Sequence, residues 1–175
     1  MDSIYLGFTA FLFVLAVFDL ISGVSNDAVN FLNSAIGARV ATFRTIIIVA
    51  AAGVFLGASM SNGMMEVARH GVFHPSMFSF REVMFIFLAV MISDVILLDV
   101  FNTLGLPTST TVSMVFELLG GTFAMALVKS FSDQGVNMME MMNTGKALSM
   151  IIAIFVSVAI AFFFGTVVQY IARLV

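Results

Sequence analysis

Asn26, Asp27, Asn30, Asn33 and Ser34 fall within nine positions of a chain that is otherwise strongly apolar. If residues 26–38 are helical, Asn26 and Asn30 are i,i+4 neighbours on one face, and Asp27 sits one position round from Asn26. Amide oxygens and a carboxylate are hard ligands that suit a small alkali or divalent cation. Asn33 and Ser34 carry the polar supply toward the next turn. A helix cap needs one such residue, so five exceed what capping explains.

A second polar cluster, Ser109, Thr110, Thr111 and Ser113, follows Gly105 and Pro107 in the stretch GLPTSTTVS. Hydroxyls and the first amides of a helix are neutral donors that can surround a tetrahedral oxyanion without a buried arginine. A single Ser or Thr in a membrane helix usually bonds its own backbone or a neighbouring helix; a Pro-Thr-Ser-Thr-Thr run supplies more donors than that role uses. An oxyanion close to Asp27 would be repelled in a weakly screened cavity, and a cation shared between the two removes the objection. The residue types therefore suggest coupled cation and anion binding without naming either ion.

The elements that must hold these clusters are membrane helices. Hydrophobic residues make up 61% of the 175 and charged residues 10%, with 20 Phe and 2 Pro, and the mean hydropathy is +1.14. Uncharged runs at residues 45–65 and 147–172 reach or exceed the ~20 residues that cross a hydrocarbon core of about 30 Å. The expected order is a span over 4–21, a break at Gly23, and a shorter helix over 26–38. A span over 42–62 follows, then an extramembrane connection to Glu82 and a span over 83–100. A broken or re-entrant element at 101–121 leads into a helix, and a last span covers 147–171. The fold class is an all-α integral membrane protein of about five spans with discontinuous helices. The first run is a poor signal peptide, because Asp2 precedes it and no Lys or Arg does.

Several function classes are excluded. A net charge of -3 with no basic cluster argues against nucleic acid. Without cysteine there is no disulfide, thiolate catalysis or thiolate-bound metal. No Ser-His pairing or metal triad lies in the apolar segments, so an enzyme is not expected. The distribution of Lys and Arg favours neither orientation.

The pair SNDAVNFLNSAIGAR and GLPTSTTVS resembles the two signature regions in one half of the inorganic phosphate transporter family, the sodium- or proton-coupled phosphate permeases. Asn26, Asp27 and Asn30 match its Asn-Asp-x-x-Asn, Ser34 falls at the family threonine and Gly37 keeps a glycine. Gly105, Pro107, Ser109, Thr110 and Thr111 match its Gly-x-Pro-x-Ser-Thr-Thr. The sequence departs from the pattern at Val112, where histidine is common, at Asn33, where glycine is common, and in the spacing of Gly23. The resemblance implies a cation site at Asn26, Asp27, Asn30 and Ser34, with Asp27 the sodium ligand, and a phosphate site at Asn30, Ser109, Thr110 and Thr111. It implies secondary transport of phosphate with sodium or a proton as coupling ion, and no other cofactor. Residues 1–175 then form a single transmembrane domain. By the resemblance it corresponds to the N-terminal repeat of an inverted-repeat transporter in a cell membrane, expected to be a bacterial inner membrane, completed by a homologous C-terminal half or a partner chain. Self-association, another tetrahedral oxyanion as substrate, and a non-transporting membrane subunit stay open.

Among the remaining polar groups, Asp19, Asp94, Asp99 and Glu117 would be costly facing lipid. Asp94 and Glu117 are candidates for coupling or gating. Asp94 and Asp99 are about 140° apart on an ideal helix and need not act together. His70 and His74 read as loop histidines. Met138, Met139, Met141 and Met142 suit adaptable packing better than a copper site.

Overall fold

The computed structural model describes residues 3–61, 66, 71–132 and 137–174. It is 87% helix, and no strand occurs among the described residues. The main helices are α1 (Ser3–Gly37), α2 (Phe43–Ser59), α3 (Phe80–Leu104), α4 (Thr110–Ser132) and α5 (Thr144–Leu174). Four of them, α1, α3, α4 and α5, are long and apolar enough to cross a membrane. At 17 residues, α2 is a shorter apolar helix, at the lower end of the length that crosses a bilayer. The all-α membrane class expected from composition is borne out.

The expected break at Gly23 is absent. Helix α1 runs unbroken for 35 residues, about 52 Å at 1.5 Å per residue, and the separate helix over 26–38 is its C-terminal part. Gly23 instead serves packing: a Cβ there would meet Thr110 Cγ2 at 3.6 Å and Leu98 Cδ1 at 3.7 Å. An intact ladder keeps every backbone group of this turn satisfied at membrane depth. After Gly37 the chain turns through Arg39, which has a positive φ of 52°, and Thr42 caps α2 by accepting from Thr45 N.

The second expected break is present. Helix α3 ends at Gly105, in the left-handed region at φ 67° and ψ 26°. Gly105 N donates to Asn102 O at 3.2 Å and Leu106 N to Phe101 O at 2.9 Å, a Schellman ending that glycine accommodates without strain. Residues 106–109 are non-helical and include Pro107. Then α4 begins, with Ser109 Oγ accepting from Val112 N at 3.4 Å.

Helices α3 and α4 form the best-buried pair. Gly121 brings α4 close to the α3 backbone, its Cβ position being 3.5 Å from Ile86 O. Around this contact Ile86, Val90, Leu118 and Ala126 pack with Val72, Phe73 and Phe78 from the connection before α3. Met141, in a one-turn helix Met138–Met141, is fully buried in the same cluster, so at least this methionine packs. Ser79 starts α3 with a reciprocal cap to Glu82, and Lys129 near the end of α4 reaches back to Glu82 Oε2 at 3.0 Å and Met77 O at 2.8 Å. His74 is exposed in the connection; His70 lies outside the described residues.

Helix α1 lies along α3. Edge-to-face pairs Tyr5–Phe80 and Phe8–Phe85 join them at one end, and Leu98 meets Gly23 farther along. This lateral contact sets the polar middle of α1 beside the α3–α4 break. Helix α5 is exposed along most of its length, with Ala147 its buried residue.

Candidate functional site

Asp27 and the start of α4 share a cavity of about 240 Å³. Its lining includes Asp19, Gly23 and Asp27 from α1, Asp94 and Leu98 from α3, and Thr110, Thr111 and Met114 from α4. Thr110 Oγ1 donates to Asp27 Oδ2 at 3.3 Å. Thr110 and Thr111 stand in the first turn of α4, where backbone N–H groups have no partner within the helix and carry the positive end of its dipole. A carboxylate and a set of neutral donors thus face one space. Gly23 packs against the Thr110 methyl here, with space for a Cβ at ordinary contact distance but not for a larger side chain.

Asn26 faces elsewhere. It is only 4% exposed and is bonded on both ends of its amide. Its Nδ2 donates to Asn102 Oδ1 at 2.8 Å and lies 3.3 Å from Leu106 O. Its Oδ1 accepts from Thr108 N at 3.1 Å and from Asn30 Nδ2 at 3.4 Å. Asn30 Nδ2 also donates to Thr108 O at 3.1 Å. The two asparagines therefore hold the non-helical segment 106–108 against α1, which satisfies backbone groups that the broken helix leaves free. A small cavity of about 70 Å³ borders this contact on the side of Val29, Phe101 and Pro107. Asn26 and Asp27, adjacent in sequence, consequently line different cavities.

Asp94 and Glu117 meet at one hydroxyl. Ser113 Oγ lies 3.0 Å from Asp94 Oδ1 and 2.9 Å from Glu117 Oε1. A hydroxyl has a single hydrogen, so both contacts are hydrogen bonds at once only when one carboxyl carries a proton. Asp94 is 7% exposed, and Asp19 Oδ1 and Glu117 Oε2 are buried without a hydrogen-bond partner. Among the described residues, no group of three His, Cys, Asp or Glu side chains is arranged to hold a metal ion.

The other expected residues are placed as follows. Ser109 is the exposed cap of α4. Ser34 is exposed two turns beyond Asp27, about 10 Å along the axis, and does not line the shared cavity. Asp99 is exposed while Asp94 is buried, which agrees with their separate faces. Two participants carry no role in the sequence reading. Asp19 lines the cavity through its place two turns before Asp27 on α1, a spacing that was visible. Asn102 joins through a tertiary contact, its one sequence signal being an amide in an apolar helix just before a glycine stop. A larger concavity of about 510 Å³ runs along the exposed C-terminal part of α5 by Phe162, Gly165 and Gln169; it is a groove on one helix and shares no lining residue with the two cavities above.

Nothing in this arrangement resembles a nucleophile with its base; it offers ion ligands and donors, which suits binding and passage. Comparison with curated proteins and with solved structures gave no match. A sequence model of the phosphate transporter family matches residues 23–175, from Gly23 through both polar clusters to the end of α5. That is a family of transporters and not of enzymes, and the match spans most of the chain. With its polar clusters gathered where α1 meets the α3–α4 break, this multi-pass membrane chain belongs to the phosphate transporter family.

Proposed function

We propose that the chain is one repeat of a secondary transporter in which inorganic phosphate moves together with a cation, sodium being the first choice. The observation that carries this reading is the shared cavity in which Asp27 Oδ2 meets Thr110 Oγ1 at 3.3 Å. Phosphate would be held by the hydroxyls of Ser109, Thr110 and Thr111 and the free amides of the first turn of α4. Asp27 supplies the charge that attracts the cation, and Asn30 Oδ1, three residues on along α1, would be the neutral oxygen to join it. Asn26 supports this end through its bonds to 106–108, and Ser34 would serve farther along α1.

Coupling follows from electrostatics. Like charges about 4 Å apart repel by about 4 kcal/mol at an effective dielectric near 20. A phosphate beside ionised Asp27 therefore binds poorly until a cation sits between them, and each ion raises the affinity for the other. Asp94 and Glu117, meeting at Ser113, are proposed as coupling or gating groups whose proton content changes during the cycle. The open side of the cavity and the exposure of Ser109 and Thr111 leave room for a homologous half or partner chain in a cell membrane, and alternating access would move one repeat against the other.

The test is uptake of labelled phosphate by the full-length protein in proteoliposomes, with sodium and proton gradients imposed separately. Uptake driven by inward sodium is expected. Uptake indifferent to both gradients would overturn the coupling. Neutral donors recognise shape and charge, so arsenate should compete with phosphate and planar nitrate should not.

A further inference from the structure

Asn102 and Asn26 together connect two backbone groups of fixed hydrogen-bonding character. At one end Asn102 Nδ2 donates to Ser22 O at 3.1 Å, a carbonyl that can only accept. This leaves Asn102 Oδ1 as the acceptor for Asn26 Nδ2 at 2.8 Å. With its Nδ2 so committed, Asn26 presents Oδ1 to Thr108 N at 3.1 Å, a group that can only donate. The chain of amides is therefore polarised from Ser22 to Thr108, and neither side chain can flip without placing like groups together. Packing does little to hold the same segment: Leu106 is 48% exposed, and the small cavity lies beside Leu106 and Pro107. Residues 106–108 lead directly into Ser109, which caps α4, and Thr110, which reaches Asp27.

We propose that Asn102 is a positioning residue for the anion end of the cavity, acting through Asn26 and Thr108 to fix the start of α4. It touches neither ion. The inference rests on the assignment of phosphate to Ser109, Thr110 and Thr111, and it adds a residue outside both sequence motifs.

The experiment measures the initial rate of labelled inorganic phosphate uptake against phosphate concentration, using the full-length protein in proteoliposomes with rates normalised to folded transporter. Asn102→Ala is expected to raise half-saturating phosphate about tenfold, as expected for losing two hydrogen bonds. Asn102→Ser keeps a polar side chain without adding charge but is too short to span Ser22 O and Asn26 Nδ2 together, so its shift should be as large or slightly smaller. Asn26→Ala should show a shift of similar size, and the double variant Asn26→Ala/Asn102→Ala should be no worse than Asn26→Ala alone. Wild-type half-saturation in Asn102→Ala, or multiplying shifts in the double variant, overturns the proposal. Should Asn102→Ala fail to fold, Asn102→Ser decides, an unchanged half-saturation counting against the role and a raised one for it. Ser109→Ala/Thr110→Ala separates the underlying assignment: unchanged half-saturation there removes the phosphate site itself, whereas a shift there with none in Asn102→Ala removes only the positioning role.

Discussion

Replacing Asp27 by Asn removes a charge while keeping the side chain's shape and an oxygen that can still accept from Thr110 Oγ1 at 3.3 Å. The contact that joins α1 to α4 therefore survives, and what is lost is the attraction for a cation. At about 4 Å that attraction is about 1 kcal/mol in water-like surroundings and about 4 kcal/mol at an effective dielectric near 20. Asp27 is half-buried in a cavity open on one side, so the loss lies between these values, roughly fivefold to a thousandfold in cation affinity. Labelled phosphate uptake in proteoliposomes, read against sodium concentration at fixed phosphate, gives the half-saturating sodium directly. Asp27→Asn should raise it by at least the lower figure and flatten the sodium dependence, with unfolding temperature in detergent close to wild type. An unchanged half-saturating sodium in folded Asp27→Asn would refute the electrostatic argument.

Substitutions at three further positions probe the frame around this site. Gly23→Ala should fold and retain phosphate uptake, because its Cβ would make ordinary contacts at 3.6 and 3.7 Å; Gly23→Leu should displace α4, cost about 1–3 kcal/mol of stability and weaken phosphate affinity. Gly105→Ala, at a positive φ of 67°, should cost about 1 kcal/mol in unfolding experiments, and full stability would mean that this turn can relax. Thr122→Val removes a fully buried hydroxyl without a hydrogen-bond partner, so stability should stay level or rise by up to about 1 kcal/mol, and a clear loss would show that the hydroxyl is paired.

The length and composition of the apolar runs were enough to read the membrane class and the helices α3, α4 and α5, because a bilayer demands long segments that satisfy their own backbone. Gly105 and Pro107 marked the break between α3 and α4 for the same local reason, a left-handed stop followed by a residue that lacks an N–H. Gly23 misled by the same rule. Glycine permits a turn, but residue 23 lies inside a continuous helix packed against Thr110 and Leu98, and only tertiary structure distinguishes those settings. The site was legible as two clusters of residue types and illegible in its partition. Nothing in the order Asn26-Asp27 tells that one side chain binds residues 106–108 while the next faces the cavity. Likewise Ser113, Asp94 and Glu117 come together from two helices, a meeting that periodicity along either one cannot report.

A cation and phosphate are proposed to share the cavity between Asp27 and the start of α4. The most direct test is phosphate binding to the purified full-length protein across a range of sodium concentrations, together with the reciprocal titration of sodium at fixed phosphate. Sodium should strengthen phosphate binding, phosphate should strengthen sodium binding by the same factor, and Asp27→Asn should abolish both effects. Phosphate affinity independent of sodium in the wild-type protein, under conditions where both ions bind, would contradict the shared site.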